Sequence, residues 1–172
     1  MAELEAEIAR LIREYQAETG KLLTIGTVES ATGGRIADRI TNIPGSSDYF
    51  KGSVVAYSNE VKIALLGVKK MTIESYGAVS EQTALEMAQG GRKVLDVDIC
   101  VSDTGIAGPS GATAEKPVGL FYLGLAAEDE SLSQKHIFRE NREGNKRDAA
   151  EAALNMLKQY LLKVISESGI SP

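Results

Sequence analysis

An apolar-rich run from Leu22 to Val28 breaks off at Glu29-Ser30-Ala31-Thr32-Gly33-Gly34, and the helical spacing of Ile36, Ala37 and Ile40 follows at once. A strand buried on both sides, a Ser/Thr/Gly turn and a helix make a unit that belongs in a sheet covered by helices. Such a turn gathers hydroxyls and backbone N–H groups at one point. The start of the helix adds partial positive charge, so the turn is suited to an anion or an oxyanion. An ordinary helix cap uses the same residue types, and the turn alone does not separate the two.

Helices and strands alternate over much of the rest of the chain. Residues 2 to 18 read as an amphipathic helix with Leu4, Ile8, Leu11, Ile12 and Tyr15 on one stripe, ended by Gly20. Helix from Gly33 to Ile40, loop from Asn42 to Ser47 and strand from Gly52 to Tyr57 come next. Ser58-Asn59-Glu60 opens a short helix to Leu66, and Thr72 to Tyr76 gives one more helical turn closed by Gly77. Ser80 caps a longer helix carrying Ala84, Leu85, Ala88, Val94 and Leu95. A strand from Val97 to Val101 runs into a second small-residue turn, Asp103-Thr104-Gly105-Ile106-Ala107-Gly108-Pro109. Ser110 to Lys116 is polar. Strands from Val118 to Ala127 and Leu132 to Phe138, joined by a turn at Asp129-Glu130-Ser131, precede a helix from about Asn145 to Ile165.

This order predicts a three-layer α/β/α sandwich in a single domain over 1–172, with a mixed, partly parallel sheet and a late antiparallel hairpin. Ligands of such sheets collect at the carboxyl ends of the parallel strands. The turns after Val28, Tyr57 and Val101 all fall there.

Composition narrows the chemistry. A net charge of −5 and 5% aromatic residues without Trp argue against a nucleic-acid surface. One His and one Cys leave only carboxylates as metal ligands, with no ligand spacing among them. No phosphate-binding glycine motif follows a strand, so neither metal nor cofactor is expected. Cys100 lies in an apolar run and reads as a small hydrophobe. No 18-residue apolar stretch or signal segment is present, so a cytoplasmic protein without a membrane partner is expected.

A Ser-His-Asp triad would have to recruit His136 from a predicted strand. Lysine can also activate serine when burial lowers its pKa. Lys62 and Lys116 are the candidates, and Lys62 sits closer to the carboxyl end of the second strand.

Glu29-Ser30-Ala31-Thr32-Gly33-Gly34, Pro44-Gly45-Ser46-Ser47 with Phe50, Tyr57-Ser58-Asn59-Glu60-x-Lys62, Gly77-Ala78-Val79-Ser80, Gly105-Ile106-Ala107-Gly108-Pro109 and Lys116-Pro117-Val118-Gly119 occur in order. The set resembles the CinA C-terminal domain, the nicotinamide mononucleotide deamidase (PncC-type amidohydrolase) family, from about residue 5 to 165. The resemblance implies hydrolysis of nicotinamide mononucleotide to nicotinate mononucleotide and ammonia in pyridine nucleotide recycling. It makes Ser30 the nucleophile and Lys62 the general base, with Tyr57 and Ser47 supporting dyad or substrate. Ala31, Thr32, Gly33 and Gly34 of the first turn and Thr104, Gly105, Ala107 and Gly108 of the second would bind substrate. Arg142, with Lys146 or Arg147 beside it, would meet the 5′-phosphate. It also implies a homo-oligomer and, since larger members carry an N-terminal domain, a stand-alone form here. Two positions depart from the family pattern: Ala31 replaces a usual Cys, and Glu140-Asn141-Arg142 replaces Gly-Asp-Arg. A non-catalytic nucleotide-binding or competence-related scaffold domain, or an amidase for another substrate, are the competing readings.

Overall fold

The computed structural model describes residues 4–169, so Ala2 and Glu3 of the predicted first helix lie outside the described residues. Five strands form one mixed sheet in the order β2-β1-β3-β4-β5. They are β1 (Ile25–Glu29), β2 (Phe50–Val55), β3 (Ile99–Gly105), β4 (Leu120–Ala126) and β5 (Ser131–Ile137). β1 pairs in parallel with both β2 and β3, while β3–β4 and β4–β5 are antiparallel. The helices are α1 (Leu4–Thr19), α2 (Arg35–Thr41), α3 (Asn59–Leu66), α4 (Lys70–Tyr76), α5 (Glu81–Leu95) and α6 (Arg142–Glu167).

Three layers follow from the alternation of side chains along the strands. Ile25 and Val101 face a core shared with α1, α2 and α6, filled by Ile8, Ile12, Ile36, Leu154 and Leu157. Val28 and Cys100 face the other way, onto Met87 of α5 and Leu66 of α3. The predicted sandwich, with its parallel first part and late hairpin, is the observed one. Burial raises the Cys100 thiol to about 12, which keeps it a neutral hydrophobe.

The differences from the sequence reading are local and have physical causes. β1 starts at Ile25 because Asp98 accepts the N–H and hydroxyl of Thr24 and fixes the chain just before the sheet. Gly33 and Gly34 lie outside α2, at φ 65° and 100°, a left-handed conformation that favours glycine. β3 runs on to Gly105 instead of ending at Val101. Its polar residues resemble a turn, yet Ser102, Asp103 and Thr104 pair with Gly124, Leu123 and Tyr122 of β4. α6 begins at Arg142, three residues early, because the Asn141 side chain accepts the Gly144 N–H and caps it.

One close contact sets how α3 meets α5. A Cβ on Gly90 would stand 1.7 Å from the carbonyl oxygen of Leu66 at the end of α3. Gly90→Ala is therefore expected to destabilise the fold by about 1–3 kcal/mol, despite alanine's better helix propensity. Thermal unfolding of the two proteins side by side checks this, and an unchanged or higher Tm would contradict it.

Candidate active site

The carboxyl ends of β1, β2 and β3 lie along one edge, and the three turns meet there. A cleft of about 260 Å³ opens at this edge, with Ser30, Lys62, Thr104, Ala107 and Arg142 among its lining residues.

Ser30 follows the last residue of β1 and is buried apart from a small part facing the cleft. Lys62 reaches it from the first turn of α3. Ser58 caps that helix by accepting the Val61 N–H, and this start turns Lys62 inward. Only 2% of Lys62 is exposed. Its Nζ lies 2.9 Å from Ser30 Oγ, 2.9 Å from the carbonyl oxygen of Ala56 and 3.2 Å from that of Tyr57. A neutral amine has two N–H bonds and one lone pair. Donating both hydrogens to the two carbonyls leaves the lone pair for the Ser30 hydroxyl. Burial pushes the Lys62 pKa below the usual lysine value, partly opposed by the negative charge of Asp103.

The other candidate base is placed elsewhere. Lys116 Nζ donates to the carbonyls of Tyr76 and Val79 and fastens the loop between α4 and α5, at 2.6 and 2.7 Å. His136 is on β5, stacked on Phe138 and 3.1 Å from Gln134 Oε1. Neither contacts Ser30.

Beneath the serine turn lie two buried carboxylates that the sequence reading passed over. Glu29 accepts the N–H groups of Gly34, Ile36 and Ala37, so the start of α2 is already neutralised from within. The expectation that this helix start would hold a ligand anion is corrected accordingly. Asp103 accepts the N–H groups of Ser30 and Thr32 at 3.0 and 3.1 Å, and the Thr32 hydroxyl contacts both carboxyls. Burial, reinforced by the charge of Glu29, raises the Asp103 pKa to about 6.

These bonds sort the predicted binding residues. Thr32 is fully buried below the turn, and Gly33 and Gly34 shape it without lining the cleft. Ala31 lines the cleft, its methyl packed with Ala107, Phe121 and Ala149, so alanine fits the place of the family's usual cysteine. Its N–H has no acceptor among the described residues, and neither do those of Ala107 and Gly108. Thr104 donates its hydroxyl to the carbonyl of Ala78, and Gly105, Ala107 and Gly108 form the opposite wall.

Arg142 bridges the mouth, donating to the Gly108 carbonyl at 2.7 Å and to the Tyr57 hydroxyl at 3.1 Å. Tyr57 thus serves the dyad through its carbonyl, while its exposed ring stands at the mouth. Arg147 pairs with its neighbour Asp148. Like Thr32, Gly33 and Gly34, Ser47 does not line the cleft, and it lies farther away than they do. It is exposed on a 3-10 turn (Ser46–Asp48) just before the amino end of β2, the opposite end of the strand from Ala56. Among the described residues no group of three His, Cys, Asp or Glu side chains could hold a metal ion, and no helix is long and apolar enough to cross a membrane.

The description "CinA C-terminal domain" belongs to the family model that matches residues 3–161. The chain belongs to the CinA C-terminal domain family. A "putative competence-damage inducible protein" of Halothermothrix orenii is 55% identical over 150 residues, covering 84% of this chain and 36% of that protein. A "CinA-like protein" of a Sulfurihydrogenibium species is 42% identical over 160 residues, covering 93% and 38%. The chain therefore spans a little over a third of the length of these curated relatives. Among solved structures, the competence/damage inducible protein CihA from Agrobacterium tumefaciens superposes with a TM-score of 0.83 at 37% identity, covering 91% of this chain and 94% of that one. A CinA-superfamily protein from Escherichia coli gives 0.82 at 26% identity, over 93% and 90%.

Proposed function

We propose that this CinA-family chain is a nicotinamide-nucleotide amidase, hydrolysing the carboxamide of nicotinamide mononucleotide to nicotinate mononucleotide and ammonia in cytoplasmic pyridine nucleotide recycling. The observation that carries the reading is the 2.9 Å contact between Lys62 Nζ and Ser30 Oγ, both of which line the cleft. Neutral Lys62 takes the hydroxyl proton as Ser30 Oγ bonds to the carboxamide carbon. The N–H groups of Ala31, Ala107 and Gly108, residues that line the cleft, have no acceptor among the described residues and are available to the oxyanion; one such donor is worth roughly 10²–10³ in rate. Lys62 then returns the proton to the nitrogen as the C–N bond breaks and ammonia leaves. Water, deprotonated by Lys62, attacks the ester, releasing the carboxylate and restoring the Ser30 hydroxyl. Arg142 at the mouth keeps three further N–H groups for the nucleotide phosphate, a pairing guanidinium geometry suits. Lys146, beside Gly33, adds positive charge to the same end. The resemblance to oligomeric family members makes a homo-oligomer part of this proposal.

Ammonia release from nicotinamide mononucleotide by the purified chain tests the reading. Binding of the mononucleotide without release would favour a nucleotide-binding domain; neither would point to another amide. The base has a pH signature as well. Lys62 must be unprotonated to act, so kcat/KM is expected to rise with pH and level off, with a midpoint below the ordinary lysine value of 10.5. A profile that falls across the neutral range would contradict the assignment.

A further inference from the structure

Proton counting around the nucleophile turn leads beyond the dyad. Thr32 Oγ1 is 2.6 Å from Glu29 Oε1 and in hydrogen-bond contact with Asp103 Oδ1. A hydroxyl carries one hydrogen and can satisfy only one ionised carboxylate. The other contact sets oxygen against oxygen in a fully buried place unless that carboxyl brings its own proton. No buried side-chain nitrogen or oxygen among the described residues lacks a partner, so an unsatisfied contact here would stand alone.

The donors decide which carboxyl is neutral. Glu29 receives three N–H groups at the start of α2, with the hydroxyls of Thr27 and Ser53 at 3.3 and 3.4 Å. Asp103 receives two N–H groups and faces the charge of Glu29. Besides Glu29 of β1, the charged groups on this side are Lys62 of α3, whose Nζ contacts Ser30, and Lys146 of α6, whose Nζ lies over Gly33.

We infer that Asp103 is the positioning residue of the nucleophile turn, acting as the protonated member of a buried Asp103–Thr32–Glu29 chain; only its kinetic consequence rests on the amidase reading. Asp103 donates to Thr32 Oγ1, and Thr32 donates to Glu29. The two oxygens of Asp103 meanwhile hold the N–H groups of Ser30 and Thr32. Ala31, between them, lines the cleft and keeps an N–H without an acceptor among the described residues. While Asp103 holds its proton, the pair of carboxyls carries less buried negative charge, and the charge that opposes the lowering of the Lys62 pKa is absent.

Two measurements on the full chain test this, one of them independent of substrate. Infrared spectra at pH 5 should contain the stretching band of a protonated carboxyl that is missing from Asp103→Asn. Thr32→Val should shift the same band, because it removes the acceptor of that proton, so the test survives if Asp103→Asn fails to fold. Absence of the band, or its persistence unshifted in both variants, overturns the protonated chain. In the second measurement, ammonia release and labelling of Ser30 by a fluorophosphonate are followed in parallel. Thr32→Val is expected to lower kcat and the labelling rate by about 10²-fold with KM little changed, as misplacement of a reacting group does. Thr32→Ser, which keeps the hydroxyl, should recover most of that loss. Equal rates in wild type and Thr32→Val overturn the positioning role and leave the dyad standing. A wild type that neither labels nor releases ammonia overturns the dyad and the positioning role together, while the infrared result still decides where the proton is.

Discussion

Replacing Ser30 with alanine is expected to lower ammonia release from nicotinamide mononucleotide by about 10³- to 10⁶-fold, the range seen when a hydrolase loses its nucleophile. The fold should hardly register the change. Ser30 Oγ takes part in a single side-chain hydrogen bond, to Lys62, and Lys62 Nζ keeps the carbonyls of Ala56 and Tyr57 as partners. The backbone N–H that Asp103 binds is retained by alanine. A lost hydrogen bond of this kind costs about 1 kcal/mol, so the shift in Tm should be a few degrees at most. Substrate affinity, measured by calorimetry on the inactive protein, should be near that of the wild type because the walls around Thr104 and Arg142 are untouched. Turnover within tenfold of wild type would remove Ser30 as nucleophile. An unfolded variant, by contrast, would mean that the Ser30–Lys62 contact holds the fold together.

The residues that announced the site were those whose chemistry and local position agree. Ser30 ends a strand and begins a turn, and Lys62 sits one helical turn beyond a Ser cap, so strand order alone brings them to one edge. The preference for Lys62 over Lys116 was legible from its place after the second strand, while its burial and inward turn at the α3 start were not. Glu29 and Asp103 stayed illegible for a different reason. A carboxylate at a strand end reads as solvent-facing, and only the five backbone N–H groups they accept between them explain their burial. The same reason hid the last four residues of β3: Ser102, Asp103 and Thr104 have turn composition, while pairing with β4 and individual hydrogen-bond partners make them strand. Ser47 shows the limit of a motif taken by itself. Its sequence neighbourhood matches the family, but the register of β2 against β1 carries it to the other end of the sheet.

Lys62→Arg is expected to be as inactive as Lys62→Met, each losing about 10²–10⁴-fold in kcat, the usual contribution of a general base. The pairing separates two roles that a lysine beside a serine could have. If Lys62 served only to donate hydrogen bonds and place positive charge near the oxyanion, arginine would preserve much of the rate. As a base it must surrender its proton, and a guanidinium never does so in a protein. The surroundings sharpen the contrast, because the two carbonyls that hold Nζ would also hold a charged guanidinium in place, with its charge unremovable. Lys62→Ala offers the converse experiment. It opens a buried space beside Ser30 with the carbonyls of Ala56 and Tyr57 still pointing into it, a site shaped for a small primary amine. Methylamine added to Lys62→Ala should restore part of the activity, more strongly as pH rises and the free amine replaces its ammonium form. Rescue by methylammonium at low pH, or an active Lys62→Arg, would transfer the role of Lys62 from proton acceptor to electrostatic donor.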